Sequence, residues 1–139
     1  MTITAKYHVN FFDTDTMGVS HHSNYIRWFE IGRVEYLRAI GIDLNAMMAD
    51  GILFPITKIE AQYHSPSYFD DILAIDTTAV ALTKAKMEFE YKIHRVDEEK
   101  ILVTGFSQNV FTNKETGKIT RLPEKYYSLM QNAECRMQN

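Results

Sequence analysis

The stretch from Phe11 to Gly41, FFDTDTMGVSHHSNYIRWFEIGRVEYLRAIG, decides the fold that this sequence predicts. Its pattern indicates the end of a strand, then a turn rich in acidic and histidine residues, then one long helix over Asn24–Ile40. Ser23 or Asn24 can cap this helix, because a short side-chain oxygen accepts an otherwise unpaired backbone N–H. Gly41 can end it. At about 1.5 Å per residue the helix extends roughly 25 Å.

The predicted helix carries an apolar arc that is too broad for an ordinary surface helix. At about 100° per residue, one side collects mostly large apolar side chains: Tyr25, Trp28, Phe29, Gly32, Tyr36, Ala39 and Ile40. Two charged residues, Glu30 and Arg33, stand at the margin of this arc at a spacing that lets them pair. We therefore expect a helix that a sheet largely wraps, with a Glu30–Arg33 ion pair at its edge.

Length, charge and cysteine content narrow the class of protein. The 139 residues suffice for one domain with a sizeable core, so we expect a single domain over 1–139. A net charge of −3 gives no basic footprint, and nucleic acid is not an expected partner. One cysteine, Cys135, excludes an internal disulfide and fits a reducing, cytoplasmic compartment. The sequence shows no signal peptide and no apolar run long enough to span a membrane, so membrane insertion is not expected.

The rest of the chain alternates mainly in the manner of β-strands. Ile3–Phe12 has the period-two pattern of a half-buried strand. A short helical turn over Leu44–Asp50 precedes a region from Leu53 to Thr112 that is predominantly strand. Pro123 suits the first position of a last helix, roughly Glu124–Asn132. Strands joined by short turns indicate an antiparallel sheet with the long helix on one face, which is an α+β domain.

Several blocks of the sequence resemble the 4-hydroxybenzoyl-CoA thioesterase family. The first block is DTDTMGV at 13–19, followed by HSNY at 22–25 and WFE at 28–30. Later blocks are YHSP at 63–66, YFDD at 68–71, LVTG at 102–105 and LP at 122–123. The resemblance implies the hot-dog fold, in which a curved antiparallel sheet wraps one long central helix.

The resemblance also implies a set of catalytic residues. Thioester hydrolysis requires a group that attacks the acyl carbon or activates water, and donors aimed at the oxygen where negative charge develops. By resemblance Asp15 is the catalytic acid, either as general base or as nucleophile. A helix N-terminus offers free N–H groups to an oxyanion, and the family pattern places this donor at about His22. Gly18 and its neighbour Val19 would let the backbone pass close to the thioester.

Most of these residues have a second interpretation. Asp15 can be a simple turn residue, and Asp13 can be a turn former or a partner of the catalytic acid. The His22 side chain either orients substrate or water or makes a structural hydrogen bond. Tyr25 is a candidate substrate contact and equally a candidate core aromatic. An Asp-x-Asp followed by two histidines also suits a metal, but a metal-free family pattern accounts for the same residues, so no metal or other cofactor is expected.

Coenzyme binding and assembly complete the expectations. Lys84 and Lys86 are candidate cations for the phosphates of the coenzyme, or else solvated lysines that discourage pairing at a sheet edge. A sheet that wraps one helix leaves an edge and an outer face to cover. Hot-dog proteins typically pair edge to edge with the active site between two subunits. We therefore expect a homodimer or homotetramer.

The expected function is hydrolysis of an acyl-CoA to the free acid and CoA. One alternative is a hot-dog hydratase or dehydratase acting on acyl thioesters, although the local motifs of such enzymes are missing here. The other is a non-catalytic protein that binds acyl-CoA or an acyl carrier, against which the intact Asp15 argues. The acyl group stays open, as does the choice between coenzyme A and a carrier protein.

Overall fold

The computed structural model describes the backbone of residues 1–138 and side chains through residue 133, so the prediction about Cys135 lies outside the described side chains. The strands are β1 (Thr2–His8), β2 (Ile52–Leu53), β3 (Ile56–Tyr63), β4 (Ile72–Leu82), β5 (Lys86–Arg95), β6 (Ile101–Val110) and β7 (Thr112–Asn113). The α-helices are α1 (His22–Ala39), α2 (Leu44–Ala49) and α3 (Glu124–Gln138), and a 3₁₀ turn spans Phe11–Asp13. Five strands pair antiparallel in the order β1-β4-β5-β6-β3, and β2 pairs with β7.

The central helix α1 lies close against the inner face of the five-stranded sheet. A Cβ placed on Gly105 of β6 would overlap the ring of Phe29, and one placed on Gly32 of α1 would overlap Thr77 of β4. Glycine at both positions therefore lets helix and sheet approach each other more closely than side chains would permit. The expected α+β hot-dog fold is confirmed.

Aromatic side chains fill the space between α1 and the sheet. Phe29 stacks on Tyr91 with ring centroids 4.5 Å apart, and Tyr36 meets Phe89 edge-on at 5.3 Å. Such pairs add to the stabilisation that burial of their large apolar surfaces provides. Trp28 is 2 % exposed, as the predicted arc requires.

Two details of the predicted helix arc are wrong. Ala39, the last residue of α1, is exposed, although its neighbours Leu37 and Ile40 are buried. Arg33 turns inward, is 8 % exposed, and donates from its guanidinium to Tyr91 Oη at 3.1 Å. Glu30 stays exposed, and the described side chains include no Glu30–Arg33 ion pair. The hydroxyl of Tyr91 offers Arg33 an acceptor inside the fold that local spacing does not reveal.

The predicted boundaries need correction at the start of α1. The helix begins at His22, and its cap is His21, whose Nδ1 accepts the Ser23 N–H at 3.2 Å. Asn24 lies inside the helix, where its side chain donates to the backbone oxygen of Asp13 at 2.7 Å. Gly41 ends the helix as expected, with its N–H on Arg38 O at 3.0 Å.

The other predicted bounds also shift. The first strand stops at His8 instead of Phe12 because the chain enters the 3₁₀ turn, and α3 extends to Gln138. Among residues 1–138, no helix combines the length and the apolar character needed to cross a lipid bilayer.

Candidate active site

Asp15 begins a tight turn that connects the two sides of a short hairpin. Its N–H donates to Val19 O at 2.9 Å, and the Gly18 N–H donates back to Asp15 O at 3.0 Å. Gly18 has φ +79°, a conformation that glycine adopts without steric cost. Asp15 Oδ1 accepts the Met17 N–H at 2.8 Å. The other carboxylate oxygen of this exposed side chain has no donor among the described backbone and side-chain groups, so it is open to water or substrate.

Asp13 anchors the hairpin from inside. Its buried carboxylate accepts from Tyr7 Oη at 2.7 Å and from the Asn10 N–H at 2.9 Å. Burial, together with the hydrogen bond to Asp13, raises the pKa of the Tyr7 hydroxyl. The backbone oxygen of Asp13 accepts the His21 N–H at 2.8 Å and the Asn24 side chain at 2.7 Å. Asp13 therefore ties the hairpin to β1 and to the start of α1.

The start of α1 leaves one backbone donor open beside the hairpin. The His21 N–H goes to Asp13 O, the Ser23 N–H to His21 Nδ1 and the Asn24 N–H to His21 O. For the His22 N–H, the described part of the chain offers no acceptor. An unpaired N–H at a helix N-terminus attracts an oxygen that bears negative charge.

A cavity of about 190 Å³ opens next to this helix start. It is lined by Val19, Ser20, His22, Tyr25, Tyr63, His64, Ser65 and Pro66. The imidazole of His22 stacks on the Tyr63 ring with centroids 4.6 Å apart, and Tyr63 Oη donates to His22 O at 3.3 Å. The cavity therefore has an aromatic wall on one side and the hairpin on the other.

A chain of three buried hydroxyls lies beneath the hairpin, and we call it the hydroxyl chain (Tyr25, Ser67 and Ser20). Ser67 Oγ donates to Ser20 Oγ at 2.7 Å and lies 2.9 Å from Tyr25 Oη. The Tyr25 hydroxyl is engaged in the interior, and Tyr25 also lines the cavity, so its role as a substrate contact stays a prediction.

Sequence reasoning missed both Tyr63 and Ser67. Tyr63 belongs to a motif block, YHSP at 63–66, that the resemblance had marked without assigning it a role. Ser67 stands between two such blocks. Its burial depends on how the connection between β3 and β4 folds back under α1, and no local pattern shows this.

Lys84 and Lys86 lie at the opposite end of the sheet from the cavity. Lys84 Nζ pairs with Glu124 at 2.6 Å and sits over the Tyr127 ring, while Lys86 Nζ pairs with Glu88 at 2.6 Å. β4 begins beside the hairpin and runs 11 residues before it reaches Lys84. At about 3.3 Å per residue this is roughly 35 Å. Neither lysine reaches the cavity of its own chain.

Other sites for a ligand or metal are less suited to chemistry. The carboxylate of Asp13 faces Tyr7 and that of Asp15 faces Met17, so the two do not converge. No group of three His, Cys, Asp or Glu side chains within the described residues is placed to hold a metal ion. A larger groove of about 650 Å³ crosses the outer face of the sheet, but no helix N-terminus borders it.

A curved sheet around one long helix, with an acid and an open N–H at the start of that helix, places the protein in the class of hot-dog proteins. The chain belongs to the thioesterase-like superfamily, whose family model matches residues 9–130. The resemblance seen in the sequence is thereby confirmed.

Individual relatives agree with this assignment. The acyl-CoA thioester hydrolase YbgC of Escherichia coli O157:H7 is 32% identical over 81 residues, which cover 58% of this chain and 60% of YbgC. A structure titled probable thioesterase from Bartonella henselae is 32% identical, with a TM-score of 0.79 over 88% of this chain and 100% of that one. A 4-hydroxybenzoyl-CoA thioesterase shares the fold at 20% identity, with a TM-score of 0.80 over 92% of this chain and 97% of that one.

Proposed function

We propose that this protein is an acyl-CoA thioesterase, in which Asp15 and the N-terminus of α1 act together on the thioester carbonyl. The observation that carries the proposal is the unpaired His22 N–H, which lies at the start of the helix that follows the Asp15 hairpin. The 190 Å³ cavity, which His22 and the Val19–Ser20 side of the hairpin border, supplies a place for the acyl group. Membership of the thioesterase-like superfamily supports the same reaction.

The reaction begins when the thioester carbonyl oxygen accepts the His22 N–H. Negative charge that develops on this oxygen is stabilised by the N–H and by the helix dipole. As general base, Asp15 takes a proton from water while the water oxygen bonds to the acyl carbon. Collapse of the tetrahedral intermediate breaks the carbon–sulfur bond, and the thiolate of CoA takes up the proton.

Asp15 can also act as the nucleophile. Its free oxygen then bonds to the acyl carbon and expels the CoA thiolate, leaving a mixed anhydride that water hydrolyses to the free acid and the Asp15 carboxylate. Both routes need the same two groups, a carboxylate oxygen without a protein partner and an open backbone donor.

The dimensions of the cavity favour a compact acyl group. A cavity of about 150 Å³ in another protein accommodates benzene, so 190 Å³ suits a single ring or a short chain next to the carbonyl. The stacked His22–Tyr63 wall offers an aromatic surface to such a group. A long chain would have to continue beyond the cavity.

We also infer a homodimer or homotetramer, which the exposure of β3 supports. This strand is an edge of the sheet and is exposed along much of its length, and Ile56 and Tyr63 are 38% and 45% exposed. Edge-to-edge pairing of two copies would cover it. The cavity of the same chain lies too far from Lys84 and Lys86. In this proposal the two lysines therefore contact only the phosphates of a coenzyme that is bound in the cavity of another copy. Light scattering should then report at least twice the 16.2 kDa of one chain. A cytoplasmic location stays a prediction from composition.

The test of the function is release of free thiol from a panel of short, aromatic and long acyl-CoAs. Replacing Asp15 by Asn should lower turnover by about 100- to 10,000-fold, the usual contribution of a general base. The matched control is Asp43→Asn, because Asp43 is also exposed and its Oδ1 also accepts the N–H two residues on, from Asn45 at 2.9 Å. Turnover of this control should match the wild-type protein.

Three results would contradict the proposal. Equal rates for the wild-type protein and Asp15→Asn would mean that the acid is misplaced. Binding of an acyl-CoA without release of thiol would indicate a non-catalytic protein that binds acyl-CoA. Hydration of an enoyl-CoA without thiol release would indicate the hydratase.

A further inference from the structure

The hydroxyl chain has one direction of hydrogen bonding. Ser67 Oγ gives its one hydrogen to Ser20 Oγ at 2.7 Å. It therefore accepts the hydrogen of the Tyr25 hydroxyl, 2.9 Å away, and the Ser67 N–H donates to Tyr25 Oη at 3.2 Å. The three residues are between 0 and 3% exposed, so water does not replace a lost partner.

Ser67 joins the two pieces of backbone that carry the proposed chemistry. On one side Ser67 makes two hydrogen bonds to Ser20: Ser67 Oγ donates to Ser20 Oγ, and Ser67 O accepts the Ser20 N–H at 2.9 Å. Ser20 pairs with Thr14 at the base of the hairpin that presents Asp15. On the other side Ser67 holds Tyr25, which stands in the first turn of α1, three residues after His22.

We propose that Ser67 is a positioning residue for thioester hydrolysis, which through Ser20 and Tyr25 fixes the Asp15 carboxylate relative to the His22 N–H. The inference rests on the proposed function of those two groups. Ser67 itself does not border the cavity, so it has no contact through which to bind the acyl group directly.

A loss of positioning should appear in turnover and hardly in binding. Displacing a reacting group by about 1 Å can cost roughly 100-fold in rate, whereas the cavity walls stay in place. We expect Ser67→Ala to lower kcat by about 10- to 100-fold and to change KM by less than about threefold.

The chain offers a matched control at Ser107. This serine is also fully buried, and its Oγ lies 2.6 Å from the hydroxyl of the buried Tyr91. It belongs to β6 and does not contact the hairpin. Ser107→Ala should lower the melting temperature about as much as Ser67→Ala but keep kcat within about twofold of the wild-type value. Equal losses of kcat in both variants would show a general loss of stability and overturn the proposal.

If Ser67→Ala does not fold, Tyr25→Phe takes its place, since it removes one hydroxyl and keeps the ring. An unchanged kcat in Tyr25→Phe would overturn the proposal. A loss of about 10-fold or more would support it.

Amide hydrogen exchange separates this inference from the proposed function. Without substrate, Ser67→Ala should speed exchange of the Asp15, Gly18 and Ser20 N–H groups, all of which are hydrogen-bonded in or below the hairpin. Ser107→Ala should leave them unchanged. Unaltered exchange in Ser67→Ala would refute the positioning role. If the wild-type protein releases no thiol, the proposed function fails, and the exchange rates still decide the role of Ser67.

Discussion

Gly105→Ala tests the closeness of helix and sheet that makes this fold possible. The added Cβ would overlap two atoms of the Phe29 ring and would lie 3.1 Å from Glu60 O. Phe29 is fully buried and stacks on Tyr91 with ring centroids 4.5 Å apart. Rotation of the Phe29 ring away from the new Cβ would therefore cost free energy. Overpacking of this kind costs about 1–3 kcal/mol.

The size of the effect follows from two opposing terms. Because the overlap involves a pinned ring, we take the upper part of the overpacking range, about 2–3 kcal/mol. Alanine also restricts the unfolded chain, which stabilises a strand interior by about 0.5–1 kcal/mol relative to glycine. The net loss should be about 1–2.5 kcal/mol, and the melting temperature should fall by roughly 3–9 °C for a chain of this length.

The assay is urea unfolding and calorimetry at one fixed protein concentration, because association changes apparent stability. Phe29→Leu supplies the control, since it removes the ring that the Cβ would strike. In the Phe29→Leu background, Gly105→Ala should lower the free energy of unfolding by less than it does in the wild type, and the difference should be about 1 kcal/mol or more. A Gly105→Ala protein as stable as the wild type, or strictly additive costs in the double variant, would refute the packing argument.

Three further changes test other parts of the structure. Tyr7→Phe should destabilise the protein by about 1.5–3 kcal/mol in urea unfolding, because the buried carboxylate of Asp13 loses a donor. Burial opposes the charged form of His94, but hydrogen bonds to two backbone carbonyls and to Asp76 outweigh it and raise the pKa of this imidazole. Its stabilising effect should therefore be complete below about pH 6.5 and should vanish as the pH rises through the folded-state pKa. Urea midpoints of the wild type and His94→Gln should accordingly converge at alkaline pH, and a gap that widens there would contradict this. Tyr63→Leu should raise KM for aromatic acyl-CoAs more than for short aliphatic ones, because the stacked wall is lost; equal changes in KM would argue against this wall.

The sequence predicted the parts of the fold that periodicity controls. Tyr25, Trp28 and Phe29 are buried because they share one side of a helix with 3.6 residues per turn. Met87 and Ile93 are buried because they alternate with polar residues in β5. In both elements one face must meet the core, so local pattern suffices.

Partners that lie far apart in the chain escaped prediction. Arg33 turns inward because Tyr91, 58 positions away, presents an acceptor there. Lys84 pairs with Glu124 because α3 returns to the end of β4. The helix cap was misplaced for a more local reason: a histidine nitrogen takes the role that Ser, Thr, Asp or Asn usually has. Of the candidate site, the motif blocks located the hairpin and the helix start, while the cavity wall and the hydroxyl chain depend on the connection after β3.

The groups proposed for bond cleavage all come from one short run of the chain, whereas the opposite wall of the cavity comes from a distant one. Asp15, Gly18 and His22 lie within the hairpin and the start of α1, while Tyr63 and the 64–66 segment belong to β3 and the connection after it. Substitutions at 64–66 can change which acyl groups fit the cavity without removing a contact to Asp15 or His22, whereas Tyr63 contacts His22 directly. Natural or engineered substitutions at 64–66 can therefore change the preferred acyl group while the groups proposed for thioester hydrolysis stay the same.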